Sequence, residues 1–249
     1  MRKGTFNKII RFGNIILKLS TEHTSIANEM LKLDAKDIKK YEQDIKNVGI
    51  NTSKVYFSWY LNEKNIILQQ FIDGKTVQEY LDCEEISSKD KLILFKRIVE
   101  MYKLSLSNEN LCLDWNLNNF IIQNNEIYYV DYVPALYKDK IKSVNSDMLR
   151  QYQLSLIDKQ IQLSGIVTYA IVPFFDIPKR ELFEIYYSMK KIIETILKVD
   201  MDYKINTEHV YIKKLMILEN YLNTNMSKRD FLDMYNSISM VKTAYQKVI

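Results

Sequence analysis

The stretch "LCLDWNLNNFIIQNNEIYYVDYVPALY", Leu111 to Tyr137, decides how the chain is interpreted. It is rich in residues that favour strands, yet Asp114, Asn119 and Asp131 stand among them. Asp and Asn are disfavoured in strands, and burying them costs free energy unless they are hydrogen-bonded or bind a metal ion. The pattern predicts a polar loop followed by two strands, "FII" and "IYYV".

The three polar residues have a spacing that suits a metal ion. Asp114 and Asn119 lie five residues apart on the loop, and Asp131 directly follows the second strand. Because a hairpin can bring all three to one end of a cleft, their oxygens suit Mg²⁺, a hard cation that prefers oxygen ligands. The alternative is a structural Asp131 that caps the turn into "PALY".

Short strands and one helical region precede this stretch. "TFNKIIRF" and "NIILKLS" predict a hairpin with Gly13 and Asn14 as its two-residue turn. Residues 21–48 have a helical composition, with Gly49 as the C-terminal signal. The strands "KVYFSWYL" and "NIILQQFI" follow, joined by the turn "NEKN".

From Thr76 the pattern changes to helices. "TVQEYL" predicts a short helix, and "SSKDKLILFKRIVEMYKLSL" predicts a long amphipathic one. The stretch quoted above, Leu111 to Tyr137, interrupts these helices. After about Ser143 the chain is helical in pattern, except for the ambiguous passage "SGIVTYAIVPFFDIP". The sequence therefore predicts an α+β protein with a sheet-rich N-terminal part and a larger helical C-terminal part.

Composition narrows the classes of function. The 249 residues carry a net charge of +4 from 35 basic and 31 acidic residues, which gives no argument for nucleic acid binding. Two cysteines, Cys83 and Cys112, make no disulfide framework and indicate a reduced, cytoplasmic setting. Two histidines leave little for a zinc site, and we expect no signal peptide and no membrane span.

The spacing of Asp114, Asn119 and Asp131 resembles the catalytic loop and metal motif of the protein-kinase-like superfamily. "DWNLNN" corresponds to the loop and "VDYV" to the Asp-Phe-Gly motif. The loop and the metal motif are most similar to those of small-molecule kinases: aminoglycoside phosphotransferases, choline kinases and lipopolysaccharide-core sugar kinases. The resemblance implies a two-lobed fold, with an N-lobe over residues 1–73 and a C-lobe over residues 74–249.

The resemblance extends to the first strands. "GTFNKIIRFGNIILKL" resembles a Gly-rich loop, containing Gly4, followed by the strand that carries the ATP-binding lysine, here Lys18. Glu42 on the next helix would pair with this lysine, with Glu29 as a competing candidate. From the residues alone, Lys18 could equally face solvent in an alternating strand, and Glu42 could pair with a neighbouring lysine on its helix.

"LQQFIDG" resembles the hinge of the same superfamily. The backbone groups of Gln70 and Ile72 would meet the adenine ring of ATP. The implied reaction is transfer of the ATP γ-phosphoryl group to a hydroxyl of a small-molecule acceptor. Asp114 would orient that hydroxyl and accept its proton, while Asn119 and Asp131 would hold Mg²⁺.

Three departures keep a second hypothesis open. Cys112 replaces the histidine of the loop, Gly4 is the single glycine of its loop, and Val133 replaces the glycine of the metal motif. The first two favour a pseudokinase that binds nucleotide or a partner without turnover, whereas the intact set of Asp114, Asn119 and Asp131 opposes it. A protein kinase is opposed by the absence of a clear Ala-Pro-Glu motif. The sequence determines neither the acceptor nor the oligomeric state.

Overall fold

The structure is a computed structural model that describes residues 7–20, 35–62, 64–143, 150–201 and 207–238. These residues form two compact units. The first unit draws on residues 1–77, 104–114 and 118–145, and the second on residues 78–103, 115–117 and 146–249. The predicted division into lobes at residues 73 and 74 stays a prediction.

A four-stranded antiparallel sheet opens the first unit. Its strands are β1 (Asn7–Phe12), β2 (Ile15–Ser20), β3 (Val55–Leu61) and β4 (Lys64–Gln70), in the spatial order β1-β2-β4-β3. Gly13 and Asn14 form the two-residue turn between β1 and β2, as predicted. Gly13 has a φ of +57°, in the left-handed region that this kind of turn requires and that glycine adopts without strain.

Helix α1 (Ala35–Asn47) lies between the two strand pairs in sequence. Its apolar positions recur at helical spacing, and Ile38, Tyr41 and Ile45 are buried. The helix ends just before Gly49, whose φ is +88°, so the predicted C-terminal signal is confirmed. The first part of the predicted helical region, residues 21–34, lies outside the described residues.

A second, three-stranded sheet contains the stretch that opened the sequence analysis. Its strands are β5 (Lys75–Thr76), β6 (Phe120–Gln123) and β7 (Glu126–Tyr129), in that order. A 3₁₀ turn, Leu117–Asn119, leads into β6. Gly74 lies against β6 so closely that an added Cβ would come within 2.0 Å of the Ile122 carbonyl oxygen. Only glycine allows this approach of two backbones, which starts the pairing of β5 with β6.

The remaining described elements are helical, as the sequence predicts. They are α2 (Val77–Leu81), α3 (Ser88–Ser105), α4 (Lys138–Ser143), α5 (Arg150–Ile157), α6 (Lys159–Ile171), α7 (Lys179–Leu197), α8 (Val210–Asn223) and α9 (Lys228–Ser237). The ambiguous apolar passage continues α6 to Ile171 and then forms a 3₁₀ turn, Val172–Phe174. The predicted α+β class, with an antiparallel N-terminal sheet and a helical C-terminal part, is confirmed.

Candidate active site

Lys18 lies on the inner face of the first sheet. Burial alternates along β2, and Ile16, Lys18 and Ser20 are the buried residues. The Lys18 side chain is only 7% exposed, so the alternative of a solvent-facing lysine is wrong. Its Nζ donates a hydrogen bond to the Val130 carbonyl oxygen at 2.6 Å and lies 3.8 Å from Oδ1 of Asp131. The predicted direction of this side chain, towards Asp131, is confirmed.

The Asp131 carboxylate makes only some of the hydrogen bonds that its two oxygens can accept. Its side chain is 26% exposed, yet Oδ1 is buried and has no hydrogen-bond partner. Burial raises the pKa of the Asp131 carboxyl, while the Lys18 ammonium and a hydrogen bond from the Val133 backbone act in the opposite direction. Burial also lowers the pKa of Lys18, against the effect of Asp131. Burial therefore outweighs the attraction within the pair for both groups.

The Val130 peptide connects the predicted site residues. Its NH donates to the Asn119 carbonyl oxygen at 3.0 Å. Its carbonyl oxygen accepts hydrogen bonds from Lys18 and, at 3.2 Å, from Nε2 of Gln69. Because Asp131 is the next residue, the backbone of Val130 holds Lys18, Asn119 and Asp131 in the same part of the first unit.

Asn119 also organises the loop that carries Asp114. Its side-chain Nδ2 donates to the Asp114 carbonyl oxygen at 3.3 Å, which spans the five-residue spacing seen in the sequence. With the amide nitrogen used in this way, the amide oxygen is the atom that Asn119 would offer to a cation.

The charges of Asp114 and Asp131 both raise the phenol pKa of the same two tyrosines. Burial raises the phenol pKa of Tyr41 and Tyr129 well above the usual value, and the charges of both carboxylates raise it further. Asn119 gives the geometric link between the two carboxylates, because its side chain donates to the Asp114 carbonyl and its own carbonyl accepts from the NH of Val130, the neighbour of Asp131.

Tyr41 is a residue that the sequence analysis did not single out. Its hydroxyl donates a 2.6 Å hydrogen bond to the Cys112 carbonyl oxygen, two residues before Asp114. Helical spacing places Tyr41 on the buried face of α1, but no sequence signal identifies the partner of its hydroxyl. The Cys112 thiol is free and buried, and burial raises its pKa to about 11, so it acts as a small apolar residue.

The predicted pairing of Glu42 with Lys18 is wrong. Glu42 is buried, and its carboxylate forms an ion pair with Lys46 and accepts a hydrogen bond from Oγ1 of Thr52 at 3.5 Å. Lys46 stands four residues further along the same helix, where the side chains of a helix are neighbours. The alternative of a local helical pair is therefore the correct one. Glu29 and Gly4 lie outside the described residues.

The predicted hinge residues lie at and just beyond the end of β4. The NH of Gln70 donates to the Lys54 carbonyl oxygen at 2.8 Å, so this donor is used within the sheet and is not free for adenine. Ile72 has a buried side chain. Contact of the backbone of Gln70 and Ile72 with a nucleotide stays a prediction.

The donor set around Asp131 fits Mg²⁺. The buried Oδ1 of Asp131 accepts no hydrogen bond, so a cation could bind it, and the backbone of Asn119 is hydrogen-bonded to Val130, the residue before Asp131. Across the described parts of the chain, no cluster of three or more His, Cys, Asp or Glu residues could form an all-protein metal site. Magnesium in phosphoryl-transfer sites is usually held by one or two carboxylates together with substrate phosphates and water, so it does not need such a cluster.

Comparisons with known proteins give structural neighbours only. No family model and no curated protein matches the chain. The PknI kinase domain of Mycobacterium tuberculosis matches 95% of this chain and 92% of its own, at 12% identity and a TM-score of 0.47. Rad53 1–466 in complex with AMP-PNP matches 94% of this chain and 58% of its own, at 13% identity and a TM-score of 0.46. Similarities at this level assign neither a family nor a function.

No helix in the described ranges is both long enough and apolar enough to cross a membrane.

Proposed function

We propose that the chain is an ATP-dependent phosphotransferase that moves the γ-phosphoryl group to a hydroxyl of a small molecule of the sugar, aminoglycoside or amino-alcohol type. The observation that carries the proposal is the pair of the buried Lys18 and the half-buried Asp131, in which the buried Oδ1 of the carboxylate lacks a hydrogen-bond partner. Burying two charges is costly, and an incompletely satisfied pair is a poor way to stabilise a fold. A ligand that supplies both a cation and phosphate oxygens would satisfy both groups.

Each residue of the site has a role in this reaction. Lys18 would neutralise phosphate charge, and Asp114 would orient the acceptor hydroxyl and take its proton. Asn119 and Asp131 would hold Mg²⁺, which supplies charge neutralisation to the phosphates when it is bound. This chemistry depends on positioning and charge stabilisation more than on covalent catalysis.

Two hydrogen bonds support the positioning of Asp114. The Asn119 side chain holds the carbonyl of Asp114 itself, and the Tyr41 hydroxyl holds the carbonyl of Cys112. Together they fix the backbone on both sides of Leu113, so the Asp114 side chain starts from a constrained backbone. Pre-organisation of this kind lowers the entropy that a reaction must lose to reach the transition state.

A second candidate is a pseudokinase that binds nucleotide or a partner without turnover. It is favoured by the contacts of Lys18, whose ammonium lies closer to the Val130 carbonyl oxygen, at 2.6 Å, than to Asp131, at 3.8 Å. It is also favoured because the Gln70 NH donates to the Lys54 carbonyl oxygen and is therefore not free to bind adenine. In both candidates Asp131 binds the metal, and they differ in whether Asp114 acts as a base.

The test compares Asp114→Asn with Asp131→Asn. Asp114→Asn keeps the shape of the side chain and removes its basicity, so Mg-ATP should bind nearly as well as to the parent. Phosphoryl transfer should fall by about 10²–10⁴-fold, the usual contribution of a positioned general base. Asp131→Asn removes a metal ligand, so Mg-ATP binding should weaken as well. Calorimetry measures binding, and ATP turnover is measured with a panel of hydroxyl acceptors.

Asp233→Asn is the matched control, because its carboxylate is exposed on α9. This variant should match the parent in both assays. A parent that binds Mg-ATP but turns over no acceptor would support the pseudokinase. A parent that binds no nucleotide, with or without Mg²⁺, would overturn both candidates.

A further inference from the structure

The outer face of the first sheet is built from large apolar side chains. Residues directly opposite each other on neighbouring antiparallel strands point to the same face. The register therefore places two adjacent rows of apolar side chains, each running across the strands, on the face opposite Lys18. The first row is Ile10, Leu17, Leu68 and Phe57, and the second is Leu19, Ile66 and Trp59. Phe12 and Ile15, which are also paired, extend the same face.

Both faces of this sheet carry apolar side chains, since Ile16, Ile67 and Val55 are buried on the inner face. An antiparallel sheet usually turns its apolar face to the core and its polar face to water. Here Lys18 and Gln69 are buried on the inner face, while each member of the two outer rows remains half-buried or exposed. This holds even for Leu17 and Leu68, which lie on the two central strands.

The four most exposed apolar side chains of this face supply about half of the area of a standard interface. The exposed fractions are 62% for Phe12, 57% for Phe57, 49% for Trp59 and 59% for Leu61. At roughly 100 Å² for each of these side chains, they alone contribute roughly 400 Å². The half-buried aliphatic residues add to this sum, and a standard interface buries about 800 Å² on each partner. The rings of Phe57 and Trp59 are stacked 5.5 Å apart at 13°, so they present a flat surface.

We propose that this face is the interface of a homodimer, in which the sheets of two copies pack face to face around a two-fold axis. Two sheets packed in this way form a sandwich about 10 Å thick with an apolar interior. The central positions of the face carry no charged residue, as is typical of homodimer interfaces.

The placement of charge favours a second copy as the partner. The charged residues at outward positions of the described strands are Lys8, paired with Leu19, and Lys64, paired with Leu61. Both lie at the same end of the sheet, where β2 ends and β4 begins. A two-fold axis that runs across the strands would place the lysines of the two copies at opposite ends of the interface. Two copies could then pack without bringing like charges together, which an isologous contact requires.

The test measures the oligomeric state of the full chain by analytical ultracentrifugation. The parent should sediment as a dimer at about 100 µM and dissociate on dilution. Trp59→Glu places a charge within the interface, on the edge strand β3, and should raise the dissociation constant at least about 30-fold, as expected for a buried aromatic anchor. Phe183→Glu changes an exposed aromatic residue on α7 and should sediment as the parent does. If Trp59→Glu does not fold, Leu61→Glu at the end of β3 replaces it.

Tryptophan fluorescence gives an independent measurement. The chain has two tryptophans, of which Trp115 is buried in the second unit. Emission should shift to the red on dilution as Trp59 becomes exposed, and Trp59→Phe should remove this shift while keeping the dimer. A parent that stays monomeric at about 100 µM, or a dimer that Trp59→Glu and Leu61→Glu leave intact, would overturn the proposal. A monomer would mean that a different protein, or another segment of this chain, covers the face.

Discussion

The interiors of the two units differ in polarity. Against the inner face of the first sheet, the buried residues include Lys18, Glu42, Ser53, Asn65 and Gln69. The second unit has a core mainly of aliphatic and aromatic side chains, in which a few polar residues, among them Gln162, Ser164 and Thr168, are also buried. Its fully buried aromatic residues include Phe174, Tyr186 and Phe231, and the rings of Phe175 and Phe231 meet edge to face at 5.0 Å.

The difference has an energetic meaning. Buried polar groups cost free energy when they lack hydrogen bonds, and the side-chain amide of Asn65 and Oε1 of Gln69 have none. Burying an aromatic ring has no such cost, since it removes apolar area from water. The second unit also has buried side-chain atoms without a hydrogen-bond partner, on Gln78, Ser164 and Thr168. The first unit is distinguished by the buried ammonium of Lys18 beside an unsatisfied oxygen of Asp131, which we attribute to the proposed site.

The largest effect should come from the aromatic core of the second unit. Phe231→Ala removes a fully buried ring that stacks on Tyr221 at 4.5 Å and meets Phe175. It should lower the free energy of unfolding by about 3–5 kcal/mol, measured by urea denaturation. Phe183→Ala, at a 38% exposed position, should cost less than about 1 kcal/mol. Equal losses in the two variants would contradict the assignment of the core.

A smaller effect is expected at Lys18. Lys18→Met fills a similar volume but leaves the Asp131 carboxylate without its cation, so the free energy of unfolding should fall, by less than in Phe231→Ala because Asp131 is 26% exposed and can still bind water. The affinity for Mg-ATP should fall about 10-fold or more, as measured by calorimetry, because a cation facing the phosphates is lost. Lys75→Met, at an exposed position on β5, is the control and should change neither quantity. A large loss of stability with unchanged affinity would show that Lys18 is a structural residue.

Local patterns predicted much of the fold and part of the site. The strand-forming runs on either side of Gly13 and Asn14 predicted the hairpin of β1 and β2, and Gly49 predicted the end of α1. The five-residue spacing of Asp114 and Asn119 matches the hydrogen bond between them. These features depend on residues that are close together in the chain, so they can be predicted from the sequence alone.

Features that depend on distant contacts were not predicted. Alternation does not show which face of a sheet is covered, so the apolar outer face was not recognised from the sequence. The bond from Tyr41 to the Cys112 carbonyl joins residues 71 positions apart. Glu42 was assigned to Lys18 by resemblance, whereas its actual partner was a near neighbour on its own helix.

The smallest effect concerns the pH dependence of stability, and it tests which influence dominates at Asp131. Burial raises the pKa of this carboxyl above its value in the unfolded chain, so the folded protein holds the proton more tightly. The resulting contribution to stability is complete below the unfolded pKa of about 3.9, and it is lost as the pH rises through the higher folded pKa. Asp131→Asn has no such proton. The free energy of unfolding of this variant, minus that of the parent, should therefore increase from about pH 4 towards neutrality, by at most about 1.4 kcal/mol per pH unit. Asp233→Asn should show no such trend, because its carboxylate is exposed. A difference that decreases with pH would mean that the attraction of Lys18 outweighs burial, and that the pair is a stabilising salt bridge after all.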